Sequence, residues 1–233
     1  EALLVKVTSA LQGEASVSEE TATLKESEAP ANSLLAVVRD NSNAKGFGQD
    51  ANAVYSITTD AIASIGKSNG QKKELLKNEK AWVSPQTVVP YQGNLYVLDS
   101  KNGVIKYTAN EDGFTKSNYF TTDAPNLSQA TGMAIDGSVW IVQKDGKVLK
   151  YTRGEADTFA ISGLNKPLNK PSKIVTEITM ANIYILDNGN RRIVQIDKKG
   201  TFQKEYSAAV LATAKEFEVD QKNNRILVFS DNK

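Results

Sequence analysis

The chain offers chemistry through few side chains. Its 233 residues include no histidine and no cysteine. That removes imidazole, the usual general base near neutral pH and the commonest metal ligand, and it removes any thiolate nucleophile or disulfide. His-based triads, zinc hydrolase sites and His-dependent lyase chemistry are therefore excluded, and catalysis would have to run on carboxylates, Lys or Tyr alone. Two acids, Asp50 and Glu216, stand where neighbouring repeats of the chain could bring them together around a divalent ion, the arrangement of a metal-dependent hydrolase or lactonase.

The densest polar cluster is Asp187, Asn188, Asn190, Arg191 and Arg192. It would suit an Asx-rich cation site or an anion-binding rim. It better suits a hairpin turn whose Asp caps its own backbone and whose Arg packs between repeats, because local side-chain to backbone bonding is the usual role of Asn and Asp in turns. Trp82, in the linker NEKAWVSP, is either an exposed anchor for a partner or a plug in a groove. Asn102, Asn126 and Lys170 fall in comparable loops. Asn126-Leu127-Ser128 fits the glycosylation acceptor pattern, and Lys77, Lys80, Lys101, Lys144, Lys166 and Lys170 could give one rim a local positive potential.

These candidates are positioned by a repeat. AVYSITTD, LYVLDSKNGVIKYT, VWIVQKDGKVLKYT, IYILDNGNRRIVQID and RILVFSDN place Tyr55, Tyr96, Trp140, Tyr184 and Ile226 at separations of 41, 44, 44 and 42 residues. A period of roughly 40–45 residues containing several short strands is the signature of a β-propeller blade. The spacing predicts an all-β propeller of five four-stranded blades over residues 33–233, with six blades as the alternative. Leu34 to Val38 is expected to close the ring, with one further strand expected beyond Lys233. Residues 1–32 read as a short amphipathic helix, with Leu3, Leu4, Val7, Ala10 and Leu11 at helical spacing, followed by a polar linker. Asn102-Gly103, Asp145-Gly146 and Gly189-Asn190 mark tight turns between second and third strands.

The inner strands begin near Gln49, Gln86, Gln129, Lys173 and Lys215, and Gln and Lys do not build a carboxylate cage. The aromatic set Tyr55, Tyr96, Trp140 and Tyr184 could stack bases, but its fixed place in the second strands favours packing between blades. Lys and Arg total 28 against 27 Asp and Glu, a formal charge of +1, so no field holds nucleic acid. No apolar run is long enough to span a membrane, and an anchor upstream of Glu1 is compatible with the sequence.

The string DNGNRRIVQIDKKGTFQKEY resembles the repeat of NHL-type β-propellers, matching at Asp187, Gly189, Asn190, Arg192, Ile193 and Lys199-Gly200. The second blade departs from it, with Val104 in the arginine position. More loosely, a helical stalk leading into LYVLD and IYILD strands resembles the C-terminal propeller of larger membrane-anchored bacterial proteins. The resemblance implies an extracytoplasmic or cell-surface setting. The function expected is a non-catalytic, monomeric binding or scaffolding module without a cofactor. It would take a protein, glycan or small ligand through rim residues Trp82, Asn102, Asn126, Lys170, Asn190 and Arg191. The alternative is the metal-dependent hydrolase at Asp50 and Glu216.

Overall fold

The computed structural model describes residues 43–231 and the backbone of three N-terminal strands, β1 (Ala2–Thr8), β2 (Glu19–Thr21) and β3 (Thr23–Ser27). Four antiparallel blades follow, each contiguous in sequence. The first holds β4 (Gly46–Gln49), β5 (Ala53–Ile57), β6 (Ile62–Gly66) and β7 (Lys72–Leu76). The second holds β8 (Pro85–Tyr91), β9 (Asn94–Asp99), β10 (Gly103–Asn110) and β11 (Gly113–Asn118). In the third are β12 (Ala130–Ile135), β13 (Ser138–Gln143), β14 (Val148–Thr152) and β15 (Glu155–Asp157). The fourth consists of β16 (Pro171–Val175), β17 (Asn182–Asp187), β18 (Arg192–Asp197) and β19 (Phe202–Ser207).

The chain then forms the hairpin β20 (Ala214–Asp220) and β21 (Arg225–Asp231). This hairpin is extended by N-terminal strands in the order β20-β21-β1-β3, and β2 adds in parallel to the outer edge of β19. These arrangements correct the expected architecture of five sequential blades, or six, behind a short helix. Among the described residues four blades are complete in sequence, and the remaining sheet is a composite of the two chain ends. Residues 2–8 are strand where helical spacing had pointed to a helix, because the free edge of β21 offers them a seven-residue antiparallel register, Ala2 opposite Asp231 to Thr8 opposite Arg225. An open edge is a strong template for any extended segment, and pairing overrides a weak local helical preference. The closing strand expected at Leu34 to Val38 lies outside the described residues.

Apolar side chains pack in layers between blades. Ile57, Ile62, Trp82, Val88 and Val97 join the first two blades, and Leu98, Val104, Met133 and Ile141 the second and third. Trp140, Ile174, Ile183 and Ile185 join the third and fourth. Leu186, Ile193, Phe217 and Val228 join the fourth to the composite sheet. Second strands are thus covered on both faces, which is why they read as continuous apolar runs rather than as alternation. The inner strands stand side by side, β4 next to β8, β8 next to β12, β12 next to β16 and β16 next to β20. At β4 the approach is so close that a Cβ on Gly48 would lie 2.0 Å from the Val88 carbonyl oxygen.

A β-bulge recurs at the start of four inner strands, between Pro85 and Thr87, Ala130 and Gly132, Pro171 and Lys173, and Ala214 and Glu216. A bulge re-aims the residue that follows it. Thr87, Gly132, Lys173 and Glu216 therefore hold equivalent positions around the axis.

Candidate binding channel

The inner strands enclose a central cavity of about 770 Å³. Its wall is mainly apolar: Phe47, Val89, Tyr91, Met133, Val175, Met180, Phe217 and Phe229 contribute, and Lys45, Asp50, Lys173, Glu177, Lys215, Glu216, Glu218 and Ser230 supply the polar groups. The wall runs from the layer of bulged residues to the loops joining first and second strands, where Asp50, Gln92 and Glu177 lie and where Ile178 is 69% exposed. Volume and lining are those of a small-molecule site.

Lys173 crosses this channel. Its ammonium pairs with Glu216 Oε2 at 2.6 Å and donates to the Phe47 carbonyl at 3.3 Å, so one side chain ties the fourth blade to the composite sheet and to the first blade. The Phe47 carbonyl also accepts from Thr87 Oγ1 at 3.1 Å. Ser230 Oγ, in a residue only 2% exposed, finds no hydrogen-bond partner among the described residues.

Asp50 is committed locally. One carboxylate oxygen caps the N–H groups of Asn52 (2.8 Å) and Ala53 (2.9 Å), and the other accepts from the Tyr55 hydroxyl at 2.7 Å. Burial pushes this carboxyl up, but the Tyr55 hydroxyl, the two N–H groups and the charge of Lys67 together hold it below the ordinary value. Asp50 and Glu216 line the same channel, yet each already has its partners, and no group of three acids able to hold a metal ion occurs among the described residues.

The other sequence candidates cluster at the opposite end of the ring, on loops joining second to third strands and one blade to the next. Trp82 is 7% exposed; its indole N–H donates to Tyr107 Oη at 2.8 Å, so it plugs the groove between the first two blades. Tyr107 in turn donates to Glu79 Oε2 at 3.0 Å. Asn102 Nδ2 is spent on the Ala81 carbonyl at 2.6 Å, and Asn190 Nδ2 on Asp187 Oδ2 at 2.8 Å and the Pro167 carbonyl at 2.9 Å. Asn126, Lys170 and Arg191 are exposed.

The dense polar cluster is a buried pin. Asp187 is fully buried and accepts from Asn169 N at 2.7 Å and from Arg192 Nε at 2.8 Å. Arg192, 3% exposed, reaches Glu205 at 2.6 Å and the Lys166 carbonyl at 2.6 Å. Asp99 does the same work in the second blade, accepting from Val83, Ser84, Lys101 and Asn102 N–H groups. The left-handed residue of the Asp187 turn is Arg191 (φ 56°), not Gly189. Gly189 is required instead by the close approach of Asn169, whose carbonyl oxygen would be 2.4 Å from an added Cβ.

Sequence reasoning missed a second copy of this pin. Asp220-Gln-Lys-Asn-Asn-Arg225-Ile226 repeats the Asp-x-x-Asn-x-Arg-Ile order of Asp187–Ile193, with a 3-10 turn at Gln221–Asn223 and left-handed Asn224 (φ 48°). Asp220 Oδ2 accepts from Arg225 Nε at 2.6 Å. This copy joins a first strand to a second, so it lies at the other end of the ring and repeats out of phase with the blades.

Sequentially stacked four-stranded antiparallel sheets around a channel define a β-propeller. No family model and no curated protein sequence matches the chain, so the NHL resemblance stands only as a likeness of repeat pattern. Among solved structures, a 6-phosphogluconolactonase-type protein from Bacteroides uniformis is similar at 11% identity and TM-score 0.55, over 100% of this chain and 76% of that one. A streptogramin B lyase is similar at 19% identity and TM-score 0.52 over 76% of this chain, which spans 58% of that protein's length. A catalytically inactive virginiamycin B lyase from Staphylococcus aureus, solved with quinupristin, is similar at 16% identity and TM-score 0.52, over 91% of this chain and 71% of that one. At these identities the likeness is one of fold.

Proposed function

We propose that this propeller is a non-catalytic binding module whose small, largely apolar ligand enters the central channel from the end carrying Asp50, Gln92 and Ile178. The observation that carries this reading is the cavity of about 770 Å³ walled by aromatic, aliphatic and methionine side chains. The rim expected from sequence supports binding less well, because Trp82, Asn102 and Asn190 spend their polar groups within the fold. Asn126, Lys170 and Arg191 remain as exposed rim groups for a protein or glycan partner. The Asp187 to Ile193 turn of the fourth blade supports an NHL-like repeat there, and a place in a larger extracytoplasmic bacterial protein rests on the sequence resemblance alone.

The metal-dependent alternative has to compete with the Tyr55 hydroxyl and two N–H groups for Asp50 and with the Lys173 ammonium for Glu216. The two readings separate in one experiment. Fluorescence titration with N-phenyl-1-naphthylamine should show one saturable site, weakened at least tenfold by Val175→Arg, which places a guanidinium in the channel wall, and indifferent to calcium or zinc. Equal binding by the variant, or binding that requires the metal, removes the channel reading.

A further inference from the structure

Lys173 and Ser230 add a specific polar feature to the apolar channel. The ammonium carries three N–H groups, and Glu216 and the Phe47 carbonyl engage two of them. Ser230 Oγ has none of its bonds made, although a buried hydroxyl without a partner costs stability. Both residues line the same cavity. Such unpaired donors at the wall of a largely apolar site are satisfied when a ligand acceptor arrives.

The charge around them selects the kind of acceptor. Glu216 already neutralises Lys173 at 2.6 Å, and the remaining wall charges, Lys45 and Lys215 against Asp50, Glu177 and Glu218, give no positive field. An anion would have to displace Glu216 and then share one ammonium with it. A carbonyl oxygen accepts a hydrogen bond without disturbing the ion pair.

We propose that Lys173 and Ser230 recognise the carbonyl oxygen of an uncharged, otherwise apolar ligand, an amide or an ester, seated in the channel. This rests on the channel reading above and sharpens it to a ligand class. The test uses octanamide and octanoate, equal in length and differing in charge, titrated into the full chain by calorimetry, with the methyl signals of Met133 and Met180 as reporters of entry. Octanamide should bind at least tenfold more tightly than octanoate. Ser230→Ala should leave the melting temperature unchanged or raise it, yet weaken octanamide roughly 2- to 10-fold, the worth of one net hydrogen bond. The paired substitution Lys173→Met/Glu216→Gln, which keeps the site uncharged, should weaken octanamide similarly. Octanoate binding as tightly as octanamide, or Ser230→Ala leaving octanamide affinity intact, overturns the proposal while the channel reading stands. If neither compound moves the Met133 and Met180 signals, the channel reading falls and the proposal with it.

Discussion

Lys173 and Glu216 occupy the same position after a bulge in adjacent inner strands, and their side chains meet across the channel at 2.6 Å. The Lys173 side chain is 13% exposed and that of Glu216 27%. Because the ammonium is the more deeply placed partner, leaving it unpaired is the costlier change. Glu216→Leu should lower stability by about 1–3 kcal/mol, Lys173→Met by less, and the double variant by less than the sum of the two. Urea unfolding of the four proteins, followed by Trp fluorescence, measures the cycle. Additive losses would show that the pair is not coupled.

The two Asp-x-x-Asn-x-Arg-Ile turns give an internal comparison. Arg192 and its partners are 3%, 0% and 9% exposed, whereas Arg225 and Asp220 are 31% and 18% exposed. Arg192→Met strands two buried carboxylates and should cost about 3–5 kcal/mol. Arg225→Met should cost less than about 1 kcal/mol, as expected of a solvated pair. Denaturant midpoints decide the order; equal losses would contradict the burial argument.

Trp82 and Glu79 connect stability to pH. Burial pushes the Glu79 carboxyl up, but the Ala81 N–H, the Tyr107 hydroxyl and the Lys116 ammonium more than offset this and hold it below its ordinary 4.5. A depressed carboxyl stabilises the fold above the unfolded value, and that contribution disappears as pH falls through the folded one. Lowering pH below about 4.5 should therefore loosen this corner first, seen as a shift in Trp82 emission. Glu79→Gln should flatten that acid limb. Tyr107 behaves oppositely at high pH. Burial and Glu79 keep its phenol protonated well above 10, so its contribution holds at neutral pH and fades only in strong alkali.

Trp82→Phe keeps one aromatic ring but loses the pyrrole half of the indole with its N–H bond to Tyr107. It should cost about 1–3 kcal/mol, a lost hydrogen bond plus a small cavity, and leave octanamide affinity unchanged, since Trp82 lies at the end of the propeller away from the channel mouth. Calorimetry and thermal melting report the two quantities separately. A loss of affinity would return Trp82 to the binding surface.

The blades were legible because two periodic signals coincide. Apolar runs such as Leu95–Leu98 must be buried on both faces, and turns such as Asn102-Gly103 fall between them in phase. The composite sheet was not legible: β1 becomes a strand only because the edge of β21 is open to it, a long-range pairing that local spacing at Leu3, Leu4 and Val7 cannot encode. Asp50 and Glu216 both line the channel, but nothing in their sequence neighbourhoods shows that Tyr55 and Lys173 would claim them. The channel wall was missed because its residues lie about forty positions apart and look like ordinary core. The one pointer was rarity: the chain has two methionines, Met133 and Met180, and both line the cavity.

That coincidence supplies the most direct test of the account. With ¹³C-methyl methionine, the spectrum holds two signals, both from the channel, while the indole N–H signals of Trp82 and Trp140 report on the blades. Titration with N-phenyl-1-naphthylamine should shift both methyl signals saturably and leave the Trp82 indole in place. A probe that binds while both methyl signals stay unmoved would contradict ligand binding in the channel.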